Sequence, residues 1–275
     1  MPNTANKRTS VELLEGVNLY YEVRGTGPAV LMIAGATGDA GHFSSVADML
    51  SSDYTVITYD RRGNSRSAAG QTATTLEQQA DDAARLIRHL ASEPATVFGT
   101  SGGAIIALKL AMRHPQAVGQ LIVHEPPLVG VLPDAEQLGR QLLTEVQKAL
   151  AAGGPDSAIE RFIRDNAGSD VFERLDQALR TRMVTNGRWF FSNELAMFAS
   201  WVPTPAELRG LHVPVRVLAG RDSRGTYYHR AAEWLAKAVS TELVEVSGSH
   251  APYLAIPDQF AASLAPLLGM AVARS

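Results

Sequence analysis

One pentapeptide in this chain has the make-up of a nucleophile held on a sharp turn: Gly99-Thr100-Ser101-Gly102-Gly103, which fits the pattern Gly-x-Ser-x-Gly. Ala95 to Phe98 reads as a strand that ends at this motif, and Ala104 to Leu108 starts a helix directly behind it. A serine at such a junction sits in strained backbone and projects its hydroxyl into a cleft. Strand and helix can approach so closely only where the residues two before and two after are small, as Gly99 and Gly103 are. The helix also aims free N–H groups and its positive dipole end at the place where an oxyanion would form. The chemistry implied is attack by the Ser101 hydroxyl on a carbonyl carbon. With no cysteine in the chain, thiolate nucleophiles, thiolate metal ligands and disulfides are excluded together. No His-Glu-x-x-His pair or comparable spacing occurs, so no metal site is expected.

Holding that serine in place requires a sheet. Strand-like runs occur at Val17 to Val23, Ala29 to Ile33, Tyr54 to Tyr59, Ala95 to Phe98, Leu121 to His124, Val213 to Leu218 and Leu243 to Val246. Several are short and wholly apolar, as strands covered on both faces are. Helical patterns lie between them at His42 to Leu50, Leu76 to Leu90, Gly103 to Arg113, His229 to Val239 and Pro257 to Leu268. The alternation argues a mostly parallel sheet wrapped by helices. It breaks once, between Pro133 and Leu208, where Leu138, Leu142, Val146 and Leu150 repeat at spacing four. Ile159, Phe162 and Ile163 open another apolar face after the Gly153-Gly154-Pro155 breaker. A helical stretch of about 75 residues is too long for a connection. It reads as a cap over the carboxyl edge of the sheet, where open α/β sheets bind ligands.

The chain has 275 residues, 45% of them hydrophobic and 19% charged, which fits a globular protein with a substantial core. Twenty-five basic against 28 acidic residues leave a charge of −3, so no nucleic-acid partner is implied. Met1 to Ser10 is a polar, frayed start without the apolar core of a signal peptide, and no apolar run reaches the roughly 20 residues of a membrane helix. A cytoplasmic protein with no membrane partner is expected.

From about Val11 to Leu268 the chain resembles the α/β-hydrolase superfamily in its cap-bearing form. Beside the turn at Ser101, Asp60-Arg61-Arg62-Gly63-Asn64-Ser65-Arg66-Ser67 resembles the family's Asp-x-Arg-Gly-x-Gly-x-Ser signature, with Ser65 at the second glycine. Its implied role is to hold the loops beside the site. The resemblance implies an α/β-hydrolase fold: a mostly parallel central sheet flanked by helices, with an all-helical cap. The corresponding division is core residues 1–128, cap residues 129–208 and core residues 209–275.

The family stabilises its oxyanion with two backbone donors, one from the residue after the nucleophile and one from the loop after the third strand. Gly102 takes the first role. Ile33-Ala34-Gly35-Ala36-Thr37-Gly38 aligns with the family's His-Gly-x run and makes Ala36 the second donor. Ala34 stands where the histidine usually does, so the bracing that histidine gives the loop is missing. Of seven histidines, only His250 follows a late strand-like run within a small-residue turn, Ser247-Gly248-Ser249-His250, at the position of the family's catalytic base. His89 and His114 read as helix-surface groups. Two carboxylates compete for the acid. Asp222, in Leu218-Ala219-Gly220-Arg221-Asp222-Ser223, follows the seventh strand but falls one residue short of the usual spacing, where Ser223 stands. Glu125 follows the sixth strand and precedes Pro126 and Pro127, which fix the chain; it is the preferred of the two. Either would hold one tautomer of His250 and stabilise its imidazolium.

Trp189, Phe190, Phe191, Phe198 and Trp201, with Met183 and Met197, crowd the end of the cap, where they either pack on the core or line a pocket for an apolar substrate. Arg182 and Arg188 read as a solvated helix face, with contact to an anionic substrate as the alternative. The activity expected is hydrolysis of a carboxylic ester or lactone of a small, largely hydrophobic molecule, without a cofactor. Other chemistries on the same residues are carbon–carbon hydrolysis, a lyase reaction and perhydrolysis, and a ligand receptor that has kept the fold is a reading from another class. The oligomeric state is left open, a homodimer included.

Overall fold

A computed structural model describes residues 7–14, 16–70 and 74–269. Eight strands form one sheet: β1 (Arg8–Leu14), β2 (Val17–Arg24), β3 (Ala29–Ile33), β4 (Thr55–Tyr59), β5 (Ala95–Thr100), β6 (Val118–His124), β7 (Val215–Gly220) and β8 (Leu243–Val246). Their spatial order is β1-β2-β4-β3-β5-β6-β7-β8. β1, β2 and β4 pair antiparallel, and all later pairings are parallel. β1 is a strand that the sequence pattern does not announce: Arg8, Thr9 and Ser10 belong to it rather than to a frayed start. Its exposed polar residues suit an edge, and its pairing with β2 from Arg8↔Val23 to Leu14↔Val17 supplies the order. The first six residues lie outside those described.

Helices cover both faces. On one side α2 (Leu76–Leu90), α3 (Gly102–Arg113) and α9 (Tyr227–Ala238) pack against the sheet around Leu31, Val97, Leu121 and Val217. On the other, α1 (Ser44–Leu50) and α11 (Pro257–Leu268) enclose Met32, Phe98, Ile122 and Leu218. The alternate β5 residues Val97 and Phe98 thus enter opposite cores, which explains why the strand is apolar throughout. α2 starts at a capping box, with Thr75 accepting from the Gln78 N–H while the Gln78 side chain accepts from Thr75 N–H. The helix expected from His42 begins instead as a 3₁₀ turn, Ala40–Phe43. Asp39 caps it, and the His42 ring accepts the Asp39 N–H at 3.1 Å.

Between β6 and β7 the chain is helical: after a 3₁₀ turn come α4 (Ala135–Ala167), α5 (Ser169–Arg174), α6 (Gln177–Trp189), a π-helical turn (Phe190–Glu194), α7 (Leu195–Ser200) and α8 (Pro205–Arg209). α4 is two helices in one span, because Gly154 at φ 76° and the following Pro155 break its regular turn. The short α10 (Pro252–Ala255) precedes α11. Among the described residues, no helix is long and apolar enough to cross a membrane.

The parallel register brings Gly99 beside Val123, Thr100 beside His124, His124 beside Leu218 and Gly220 beside Val246. The loops after β5, β6, β7 and β8 therefore leave from one edge, joined by the loop after β3 through the pair Ile33↔Gly99.

Candidate functional site

Ser101 occupies the turn between β5 and α3 at φ 54° and ψ −128°, a conformation that L-residues other than glycine rarely adopt. The surroundings force it. A Cβ on Gly99 would collide with the Gly103 carbonyl, and one on Gly103 with the Ile33 carbonyl, so strand, helix and the β3 loop touch backbone to backbone. The Ser101 N–H is tied to the His124 carbonyl at 2.9 Å. α3 begins at Gly102, and the first N–H groups of a helix have no partner within it. Facing them, Gly35 approaches so closely that a Cβ there would lie 2.7 Å from the Ser101 Cβ.

His250 follows β8 and is 7% exposed. Its Nδ1 lies 2.7 Å from Glu125 Oε2, while Glu125 Oε1 accepts the Gly220 N–H at 2.8 Å. Glu125 is fully buried and sits at φ 45°, fixed in that strained conformation by its own N–H to Leu218 O and by the proline that follows. Burial by itself would raise its pKa. The hydrogen bond of His250, the charges of His124 and His250 and the Gly220 N–H outweigh burial and hold the carboxyl down at about 2. Asp222, the competing candidate, does not reach His250. It lies exposed in the 3₁₀ turn Arg221–Ser223, with its N–H committed to the Gly248 carbonyl, so a one-residue shift at the strand end leaves its side chain in solvent. Over the open face of His250 lies the ring of Tyr228, stacked at 3.6 Å between centroids and 20° between planes; its hydroxyl donates to Asn166 of α4 at 2.8 Å.

Ser101 and His250 line the same small chamber of about 40 Å³, together with Gly35, Ala36, His42 and Asn166. Ser101, Gly102 and Ala36 also border a second, far larger cavity of about 900 Å³ under the helical insertion. Phe162, Phe190, Phe191, Phe198 and Trp201 line it. Phe198 presses on Gly102, where a Cβ would lie 3.1 Å from its ring. Of the remaining large residues, Met183 borders the small chamber, whereas Trp189 packs on Gly63. Arg182 and Arg188 are engaged in ion pairs, with Asp39 and Asp156 respectively.

Several of the histidines set aside in the sequence have structural partners. His89 pairs with Glu12 and His114 with Asp81. His124 is fully buried, its Nδ1 3.0 Å from Thr100 Oγ1. In the glycine-rich signature, Ser65 adopts φ 48°, which is the reason glycine is usual there. Its N–H donates to Asn186 Oδ1 of α6 at 2.8 Å, and Asn186 Nδ2 donates to the Thr37 carbonyl at 3.1 Å. Sequence reasoning named Arg61 only within the segment implied to hold the loops and did not single it out. This residue is buried and donates through Nη2 to the carbonyls of Gly35 at 2.8 Å and Ala36 at 3.0 Å, while Nη1 pairs with Glu194 of the π-helical turn. Only an acid within the apolar run Phe190 to Phe198 hinted at such a pairing. Among the described residues, no group of three His, Asp or Glu side chains could hold a metal ion.

Residues 28–250 match the family described as the alpha/beta hydrolase fold. The chain belongs to that family. This α/β-hydrolase is 34% identical over 260 residues to the uncharacterized hydrolase YraK of Bacillus subtilis (strain 168), covering 92% of this chain and 93% of the relative. It is 25% identical over 259 residues to a zearalenone hydrolase of Cladophialophora bantiana, covering 92% and 94%. Among solved structures, the enol-lactonase from Burkholderia xenovorans LB400 superposes with a TM-score of 0.76 at 20% identity, covering 95% of this hydrolase and all of that chain.

Proposed function

We propose that this hydrolase cleaves a carboxylic ester or lactone of a bulky, largely hydrophobic molecule through a triad of Ser101, His250 and Glu125. The observation that carries the reading is the 2.7 Å contact between His250 Nδ1 and the buried Glu125 carboxylate, in a chamber that Ser101 also lines. With Nδ1 committed to Glu125, the other ring nitrogen is free to take the Ser101 proton as Oγ attacks the carbonyl. The N–H groups of Gly102 and Ala36 bind the oxyanion. His250 then returns the proton to the leaving alcohol, and water releases the acyl group by the same steps in reverse.

Residues 129–208 act as a cap. Their apolar underside takes the hydrophobic part of the substrate and keeps bulk water from the reacting carbonyl. Near full-length similarity to a zearalenone hydrolase supports a hydrolytic reaction on a bulky organic substrate. The test is labelling by a fluorophosphonate probe combined with a panel of p-nitrophenyl esters and lactones. Wild type should label and turn over, and Ser101→Ala should do neither while keeping its melting temperature. Labelling that survives in Ser101→Ala overturns the assignment.

A further inference from the structure

Beside the loop after β3, the Arg61 guanidinium is sealed from solvent. We propose that Arg61, held by Glu194 of the helical insertion, is a positioning residue that aims the Ala36 N–H at the oxyanion, so that this donor is aligned only while the insertion is seated. The inference rests on the triad reading above. In a planar trans peptide the carbonyl of one residue and the N–H of the next point in opposite directions. The Gly35 carbonyl is fixed by two donors, Arg61 Nη2 at 2.8 Å and Gly38 N–H at 3.1 Å, and Arg61 also holds the Ala36 carbonyl at 3.0 Å. Clamping that carbonyl fixes the direction of the Ala36 N–H, in the loop where Gly35 abuts Ser101. Ala34 leaves the loop without a side-chain brace from its own strand end, and Arg61 supplies one from the next loop.

The clamp depends on the insertion through charge. A guanidinium with no exposure needs a buried anion, and Glu194 is that anion. Glu194 is itself held by Gln79 Nε2 at 3.0 Å and Asn64 Nδ2 at 3.3 Å, both on the sheet side. Phe198, one turn further along the insertion, lies 6.0 Å from the Arg61 guanidinium and rests on Gly102. Both oxyanion donors are therefore backed by the same segment, Phe190 to Phe198.

The test compares wild type with Arg61→Met and with the double variant Arg61→Met, Glu194→Gln, which leaves no buried charge unpaired. Amide hydrogen exchange on the unliganded protein should speed up at least tenfold in residues 35–38 and stay unchanged in α3. With p-nitrophenyl octanoate, kcat should fall about 10- to 100-fold with KM within threefold. Affinity for a naphthyl trifluoromethyl ketone, which mimics the tetrahedral adduct, should fall by the same factor, while the corresponding methyl ketone binds as before. Unchanged loop exchange, or a loss that falls on KM with trifluoromethyl ketone affinity intact, overturns the proposal. If wild type cleaves no ester, the triad reading fails instead, and the exchange measurement still decides whether Arg61 holds the loop.

Discussion

Glu125 and Ser101 both sit at positive φ, and each is held there by bonds to the neighbouring strand. Strain of this kind survives only where the surroundings over-determine it, and the reward is a side chain delivered to one point. The assignment of Glu125 has a sharp consequence. Glu125→Gln should lower kcat by about 10³-fold or more with little change in KM, because the amide cannot stabilise the imidazolium. Asp222→Asn should leave kcat/KM within twofold; steady-state kinetics on one ester would reverse the assignment if the two losses were exchanged. Two buried groups also predict an acid-sensitive fold. Burial holds His124 down to about 4, against the pull of Glu125. The unfolded chain thus binds more protons than the native one below the ordinary histidine value of 6.5, and stability is full above that pH and lost as pH falls towards 4. For Glu125 the loss has the same sign but runs from 4.5 down to about 2. Melting temperatures measured from pH 7 to 3 should show both windows, and His124→Asn should flatten the upper one. A variant with the wild-type slope between 6.5 and 4 would sink this explanation.

At the scale of elements, the seat of the insertion is built from loops that resemble a family signature but are adapted in detail. Gly63, at φ 77°, leaves room for the Trp189 ring, and Ser65 uses its N–H to hold Asn186. Arg182 reaches back to Asp39, which is fully buried and also caps the 3₁₀ turn after β3. Asn186→Leu would leave the Ser65 N–H and the Thr37 carbonyl without their partner, each at a cost of about 1–3 kcal/mol. Limited proteolysis should then cut within residues 129–208 well before the sheet core is attacked. Equal protection of variant and wild type would mean that this contact does not seat the insertion.

Taken as a whole, the molecule offers its candidate nucleophile two spaces of very different size, about 40 Å³ beside His250 and about 900 Å³ under the insertion. The small one admits water-sized groups, so the bulk of a substrate must lie in the large one. Each methylene buried there is worth up to about 0.8 kcal/mol. Catalytic efficiency on p-nitrophenyl esters should therefore rise at least tenfold from acetate to octanoate. A flat series would show that the large cavity is not where the acyl chain lies.

The alternation of strands and helices, the break between β6 and β7, and the Gly-x-Ser-x-Gly turn are legible in the sequence because each is a local pattern: apolar period, turn residues, small neighbours. His250 is legible for the same reason, as a polar residue in a small-residue turn after a strand. What the sequence left open depends on distance in space. Glu125 and Asp222 both end strands, and only the register of β6 against β7, together with the strained backbone at Glu125, decides which carboxylate meets an imidazole 125 residues later in the chain. Arg61 and Glu194 lie 133 residues apart, and nothing local in the sequence joins them, since their pairing exists only once folding removes both from water. β1 hides for a related reason, because its polar residues satisfy an edge and only pairing with β2 makes them a strand. Local chemistry thus set the elements and the serine turn, whereas burial and strand register selected the partners around it.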